Sequence, residues 1–475
     1  MAVTRDEMNV IVQEVLKALQ ASGASLAVAS PAGPGGTTGQ RGLFEAVEDA
    51  IRAAGQAQKK LVELPLKTRA ALIANMRKRA AERVEDLARL AHEETGYGRV
   101  ADKIQKNMLA ITKTPGLEDL QPVAYSGDHG LTVVEQAPYG VIGAITPSTN
   151  PSETVICNAI GMIAAGNAVV FGPHPAAARV SQLAVSILND AVVEAGGPEN
   201  LMTTVLKPSV QTAQVLMTHP DIRLLVVTGG PAVVAAAAKS GKKYIAAGPG
   251  NPPAVVDETA DLRKAARDIV SGATLDNNVL CIAEKEIIVV EKVADELKKY
   301  LCQSGAYEAS AREILQLEKV VLDPKTHGPH RGFVGRNANV ILDAIGVKVP
   351  DDIRMVLCEV GPDHPFVLEE MLMPVVPLVR VRDVHAAIDL AVKVEHGYHH
   401  TAIMHSKNLD NLHKMATRCN CSIFVKNGPS YAGLGLGGEG FTTFTIASPT
   451  GEGLTSARTF TRQRRCVLVD AFRIV

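Results

Sequence analysis

Seven cysteines are scattered through the 475 residues, and one of them stands where a thiol can do chemistry. Cys281 lies in SGATLDNNVLCIAEKEIIVV, after the polar, turn-forming Asp276-Asn277-Asn278 and before an apolar stretch that reads as a strand. A thiol at the mouth of such a loop can meet a substrate from above the sheet, and its thiolate is a strong nucleophile near neutral pH. The competing reading is a small buried hydrophobe, the usual fate of a free cysteine. Local context leaves both open. Two other patterns carry less. GLGLGG, with Gly433, Gly435 and Gly438, fits GxGxxG but follows NGPSYA and precedes the β-rich FTTFTIAS. It therefore lacks the strand-to-helix setting that brings a phosphate to a helix N-terminus. His396, His399 and His400 in EHGYHH have no carboxylate or cysteine at ligand spacing, so no metal is expected.

Composition narrows the classes. Lys plus Arg number 49 against 50 for Asp plus Glu, so the chain lacks the basic surface a nucleic-acid partner requires. No apolar run approaches the roughly 20 residues of a membrane span. Arg5, Asp6, Glu7 and Glu14 interrupt the N-terminus where a secretory signal needs an apolar core. An odd number of cysteines without CxxC pairs reads as free thiols in a reducing cytosol.

At this length two or three substructures must position any site. Residues 5–20 predict an amphipathic helix, with Met8, Ile11, Val12, Val15, Leu16 and Leu19 at three-four spacing. The stretch to residue 41 is small, Gly- and Pro-rich and nearly uncharged, which predicts a flexible linker. A one-striped helix so tethered is expected to dock elsewhere, or else to fold back on its own domain. From Gly42 to about Gly116 the pattern is helical. Short apolar runs then begin at Val141, Ala168, Leu201 and Ile222, each followed by a helical segment, and a second such series begins near Pro253. That alternation predicts an α/β fold with parallel sheets covered on both faces. LTVVEQAP near Leu131 and RTFTRQRRCVLVDAFRIV at the end read as extended strands without a body, suited to a small sheet completed by another subunit.

Six separated segments converge on one family: APYGVIGAITPSTNPSET, GNAVVFGPHPAA, VVTGGPAVV, AAGPGNPPAVVDETADL, the Cys281 segment and EEMLMPVVPLVRV. From about residue 42 to the C-terminus the chain resembles the aldehyde dehydrogenase superfamily, and most closely the CoA-acylating propionaldehyde and acetaldehyde dehydrogenases of bacterial microcompartments. The resemblance implies two doubly wound parallel-sheet domains plus a small oligomerisation flap. The cofactor-binding domain would comprise 42–118 and 140–251, the catalytic domain 252–430, and the flap 119–139 with 456–475. It makes Cys281 the nucleophile and Asn150 the side-chain oxyanion donor. In Pro147-Ser148-Thr149-Asn150-Pro151 the Asn comes one position later than in the familiar motif, so Thr149 stays open as the donor. The implied NAD contacts are Thr146 and Pro147 beside the first strand, Thr228, Gly229 and Gly230 near the diphosphate, Gly248, and Glu370 at the nicotinamide ribose. Gly172 and Pro175 replace the lysine and glutamate that grip the adenosine ribose in hydrolytic relatives, which weakens any preference for NAD over NADP. His174 reads either as a contact to one of the two nucleotides or as a loop histidine without a role.

The absent residues are as informative. Hydrolytic members carry a water-activating glutamate in a segment like ELGGKSP, where this chain reads Ala246-Ala247-Gly248-Pro249-Gly250-Asn251-Pro252. Alanine takes no proton, so water attack on a thioester loses the roughly 10²–10⁴-fold that a positioned base supplies. The thiol of coenzyme A, with a pKa near 8.5, is a few per cent ionised without help. The expected reaction is oxidation of a short aliphatic aldehyde to an acyl-CoA through a Cys281 thioester, with NAD and coenzyme A. The resemblance also gives residues 5–20 the role of docking to a microcompartment shell protein in the bacterial cytoplasm, and a homodimer or dimer of dimers is expected. The rivals are a hydrolytic aldehyde dehydrogenase and a non-catalytic shell-interaction protein.

Overall fold

The computed structural model describes residues 42–470 and 472–474, so the helix expected at 5–20 and the linker after it lie outside the described residues. Two compact units are formed. Among the described residues one comprises 42–90, Lys106–Ala247 and 441–470 with 472–474, and the other Ala91–Gln105 and Gly248–Gly440.

The first unit opens on helices Val47–Glu63 and Leu66–Glu82, the former burying Val47, Ala50, Ile51, Ala54, Ala57 and Leu61 on one stripe. Up to Ala247 its strands in chain order are β1 (Leu43–Phe44), β2 (Val123–Gly127), β3 (Gly130–Pro138), β4 (Val141–Thr146), β5 (Ala168–Pro173), β6 (Met202–Val205), β7 (Ile222–Thr228) and β8 (Tyr244–Ala247). Six of them make a sheet ordered β1-β6-β5-β4-β7-β8, parallel throughout. β4 is buried at every residue, as a strand covered on both faces must be. The chain winds outward through β5 and β6 and then returns to the other side of β4 as β7. The carboxyl ends of β4 and β7 thus flank the switch point where α/β sheets hold ligands. Helix Pro151–Ala164, which follows β4, is buried at all fourteen positions.

The second unit holds β9 (Pro253–Val256), β10 (Glu286–Val290), β11 (Ala306–Glu308), β12 (Met355–Glu359), β13 (Val375–Val381), β14 (Thr401–His405) and β15 (Ile423–Lys426). They form one parallel sheet ordered β11-β12-β13-β10-β9-β14-β15. Residues 91–105, read from sequence as part of the cofactor domain, belong to this unit. The reason is polar: Arg99 N–H and Lys103 Nζ both donate to the carboxylate of Asp276, each at 2.9 Å.

The two bodiless strands find each other. β3 runs antiparallel to the C-terminal strand Thr461–Val469, in register from Gly130 opposite Val469 to Pro138 opposite Thr461, and pairs with β2 on its other side. The two strands thus pair with each other within the chain, each supplying the other's backbone hydrogen bonds. Its outer strands stay exposed along nearly their whole length.

Candidate active site

In the second unit, helix Leu262–Thr274 delivers the chain into the turn that precedes Cys281. Asp276, Asn277 and Asn278 take φ of 52°, 55° and 66° in succession. Asn and Asp are the non-glycine types that tolerate this left-handed region, and three in a row store roughly 1–3 kcal/mol each unless the surroundings hold them. Here the surroundings do. Asp276 N–H donates to Asp102 Oδ2 at 3.0 Å while its carboxylate receives Arg99 and Lys103. Asn277 Nδ2 donates to Gly335 O (2.9 Å) and Asn337 Oδ1 (2.7 Å). Asn278 Nδ2 donates to Ala273 O and Glu284 O at 2.8 and 2.9 Å. Gly98 completes the seat: its φ is +69°, and a Cβ there would fall 1.7 Å from Asp276 Oδ1.

Lys285 closes the loop from below. It is buried, and its Nζ donates to Asn278 O, Asn278 Oδ1 and Leu280 O at 2.8, 2.7 and 3.1 Å. Burial lowers its pKa, while Glu370, Cys281 and Glu286 pull it back toward the charged form. Cys281 itself is half-buried, with the Lys285 ammonium near enough to feel its charge. Its carbonyl lies against Gly250, where a Cβ would come 2.7 Å from the Cys281 oxygen and 3.0 Å from the His400 ring. Only glycine fits between them. Burial pushes the His400 imidazole down to about 4, helped by the Lys285 charge, so it is neutral at physiological pH. Its Nδ1 meets Thr401 Oγ1 at 2.8 Å, and its Nε2 is buried without a partner among the described residues. Glu370 is half-buried. Burial raises its carboxyl above the ordinary range, and Lys285 and the Gly250 N–H hold it back. Glu284 is pushed up to about 7 by burial, against hydrogen bonds from Ser430 N–H (2.8 Å) and Oγ (2.7 Å).

In the first unit, the residues expected at the cofactor gather at the carboxyl ends of neighbouring strands. Thr146 ends β4, and its buried Oγ1 has no hydrogen-bond partner among the described residues, so it can bond a ligand hydroxyl or amide. Pro147 follows it. Gly172 and Pro173 end β5, and His174 N–H donates to Thr146 O at 3.1 Å. His174 Nδ1 accepts from Ala176 N–H, which fixes the ring at the start of a short helical turn. Thr228 ends β7, with Oγ1 2.9 Å from Thr445 Oγ1. The Gly229 N–H is engaged by Ala247 O at 3.1 Å. Gly230, by contrast, faces open space and begins helix Pro231–Lys239. A dinucleotide diphosphate fits the open backbone at Gly230 and the first turn of that helix better than Gly229. Ala246 is fully buried on β8, its N–H given to Thr450 Oγ1 at 3.0 Å. Asn150 N-caps helix Pro151–Ala164.

Gly248 opens the second unit's segment that leads to Gly250 and β9. Among the described residues no group of three or more His, Cys, Asp or Glu could hold a metal. His396, His399 and His400 point to separate partners: Leu368 O, Cys419 O and Thr401.

Sequence reading missed the three lysines that hold these loops, Lys103, Lys106 and Lys285, all essentially inaccessible to solvent. The signal was present. Lys103, Lys106, Asn107 and Ala110 share the buried stripe of helix Val100–Lys113, and Glu284-Lys285-Glu286 interrupt an otherwise apolar entry to β10. Charges in such places are rarely buried unless paired, so they read as solvated.

Residues 20–306 match the model of the aldehyde dehydrogenase family. The chain belongs to that family. Among the aldehyde dehydrogenases, it is 52% identical over 476 residues to the acetylating acetaldehyde dehydrogenase of Escherichia coli strain K12, covering 99% of this chain and 100% of that one. It superposes with a TM-score of 0.90 on the Rhodopseudomonas palustris propionaldehyde dehydrogenase solved with bound CoA and an acylated cysteine. That pair is 52% identical and covers 92% of this chain and all of the other. A propionaldehyde dehydrogenase from the fucose utilisation microcompartment of Clostridium phytofermentans gives the same TM-score at 49% identity, covering 91% of this chain and 100% of that one.

Proposed function

We propose that this aldehyde dehydrogenase converts a short aliphatic aldehyde, coenzyme A and NAD(P)⁺ into an acyl-CoA and NAD(P)H. The observation that carries the reading is the Cys281 loop held by the buried Lys285; in addition, the sequence has Ala246, a buried methyl group on β8, at the position where the resemblance places the water-activating glutamate of hydrolytic relatives. Cys281 Sγ adds to the aldehyde carbon, and the oxyanion is stabilised by preorganised donors, the Cys281 N–H and Asn150 Nδ2. The nicotinamide cofactor, when bound, accepts the hydride; Thr146, Pro147, Gly172, His174, Thr228, Gly230, Gly248 and Glu370 are the residues that would hold it. The resulting thioester on Cys281 is then attacked by the thiolate of CoA, the acyl–Sγ bond breaks, and Cys281 leaves as thiolate. With propionaldehyde and acetaldehyde as probes, acyl-CoA and NADH should form in equal amounts. Free carboxylate accumulating in place of acyl-CoA would reject the acylating reading in favour of hydrolysis.

The relatives' setting extends to a location. Residues 5–20 would dock the enzyme to a shell protein of a bacterial microcompartment, through an apolar stripe at three-four spacing followed by a Gly- and Pro-rich segment. Deleting residues 1–20 should leave kcat intact and abolish co-sedimentation with shells; undiminished encapsulation would reject the role. No described helix is long and apolar enough to cross a membrane. The three-stranded sheet formed by β2, β3 and Thr461–Val469 is proposed as the surface through which copies assemble, as a dimer or dimer of dimers.

A further inference from the structure

We infer that Lys106 is a positioning residue for this reaction: it grips the Asn150 carboxamide oxygen and so fixes the direction in which the amide presents its Nδ2. The inference rests on the assignment of Asn150 as oxyanion donor and lies wholly within the first unit. Lys106 is fully buried on helix Val100–Lys113, and its Nζ lies 2.7 Å from Asn150 Oδ1. An ammonium has three donors and no acceptor, so the atom it faces must be the amide oxygen, and the orientation of the amide is decided. The same ammonium lies 3.2 Å from Glu153 Oε1, itself fully buried. Asn107 Nδ2 and Ser152 Oγ donate to the two Glu153 oxygens, each at 3.3 Å. Lys106 is thereby held in place.

The conformation of Asn150 points the same way. Asn at an N-cap ordinarily turns its side-chain oxygen onto the first free N–H groups of its helix. Asn150 caps helix Pro151–Ala164 without any such bond, because that oxygen goes to Lys106. Nδ2 makes only a long contact among the described residues, 3.3 Å to Thr149 Oγ1. A cation hydrogen-bonded to an amide oxygen withdraws charge from the amide and strengthens its N–H groups as donors. A threonine hydroxyl at 149 can rotate; an amide pinned by Lys106 cannot. This favours Asn150 over Thr149.

Four variants test the arrangement: N150A, K106M/E153Q, K106Q/E153Q and N150A/K106M/E153Q. Pairing each Lys106 change with Glu153→Gln avoids stranding a buried carboxylate, so the proteins are expected to fold. The two double variants have the same charge and differ in whether an N–H donor remains at position 106. N150A should lower kcat for aldehyde oxidation by about 10²–10³-fold, the usual effect of removing an oxyanion donor. K106M/E153Q should lose about 10–100-fold in kcat with KM for NAD⁺ and CoA within roughly twofold, and K106Q/E153Q should recover much of that loss. The triple variant should be no slower than N150A, since there is no amide left to position. Equal kcat in the Met and Gln variants, multiplying losses in the triple variant, or an N150A enzyme at full rate would each overturn the proposal. An enzyme that oxidises aldehyde without making acyl-CoA would instead overturn the acylating reading, because the oxyanion forms before the acceptor enters.

Discussion

Replacing Cys281 with alanine should lower NADH formation by on the order of 10⁴–10⁶-fold, the range seen when a covalent nucleophile is removed. The loss should be that deep because no other thiol can take over. Cys157, Cys358 and Cys419 are buried, and burial lifts the thiols of Cys157 (to about 12) and Cys358. Cys302 is raised by burial and by Glu308, and Cys421 by its partner Cys419. Cys466 is exposed, but it lies within the C-terminal strand, paired opposite Val133 in the small antiparallel sheet and in neither parallel sheet. Intact-mass measurement after incubation with aldehyde and NAD⁺ should show one acyl group on the native chain and none on C281A. The two proteins should share a melting temperature, since the loop is held by Lys285, Asp276 and Asn278 rather than by the thiol. Residual activity within about a hundredfold of native would place the nucleophile elsewhere.

Withholding coenzyme A should produce a burst of NADH equal to the number of active sites, then a steady rate lower by about 10²–10⁴-fold. The first half of the reaction needs only Cys281, the oxyanion donors and the nicotinamide, so it runs once. The second half then waits. Water needs a base to attack a thioester quickly, and the proposed reading puts at that base's position Ala246, a methyl group on β8 whose backbone N–H is tied to Thr450. A thiol near pKa 8.5 supplies its own anion at neutral pH. Adding CoA after the burst should restore turnover and release the acyl group as acyl-CoA. Linear multiple turnover without CoA would show that another residue activates water.

The architecture was legible from the sequence because strand–helix alternation is written in hydrophobicity, and both parallel sheets follow it. The turn before Cys281 was legible for the same kind of reason: Asp276, Asn277 and Asn278 are types that accept positive φ, and all three adopt it. Other features depend on long-range pairing, which local patterns do not encode. Nothing near Lys103 announces Asp276, which lies 173 positions away, and nothing near Gly250 announces the ring of His400. The histidines were weighed as metal ligands because their spacing was the visible feature. The role of His400 in the structure, a neutral ring packed against the glycine beside the Cys281 carbonyl, depends on burial. The pairing of β3 with the C-terminal strand was hidden likewise, since more than 300 residues separate the two.

The buried lysines have one more consequence. An acyl thioester is an electrophile, and free amines are its natural victims, so an enzyme that makes one works in a solution of its own acylating agent. Lysines on the surface will take up acyl groups as the enzyme ages. Lys103, Lys106 and Lys285 are sealed from solvent, and each is donating its N–H bonds to oxygen. The amines that set the geometry of Cys281 and Asn150 are thus the ones the product cannot reach. Chemical wear on this protein should accumulate everywhere except where it would stop the reaction.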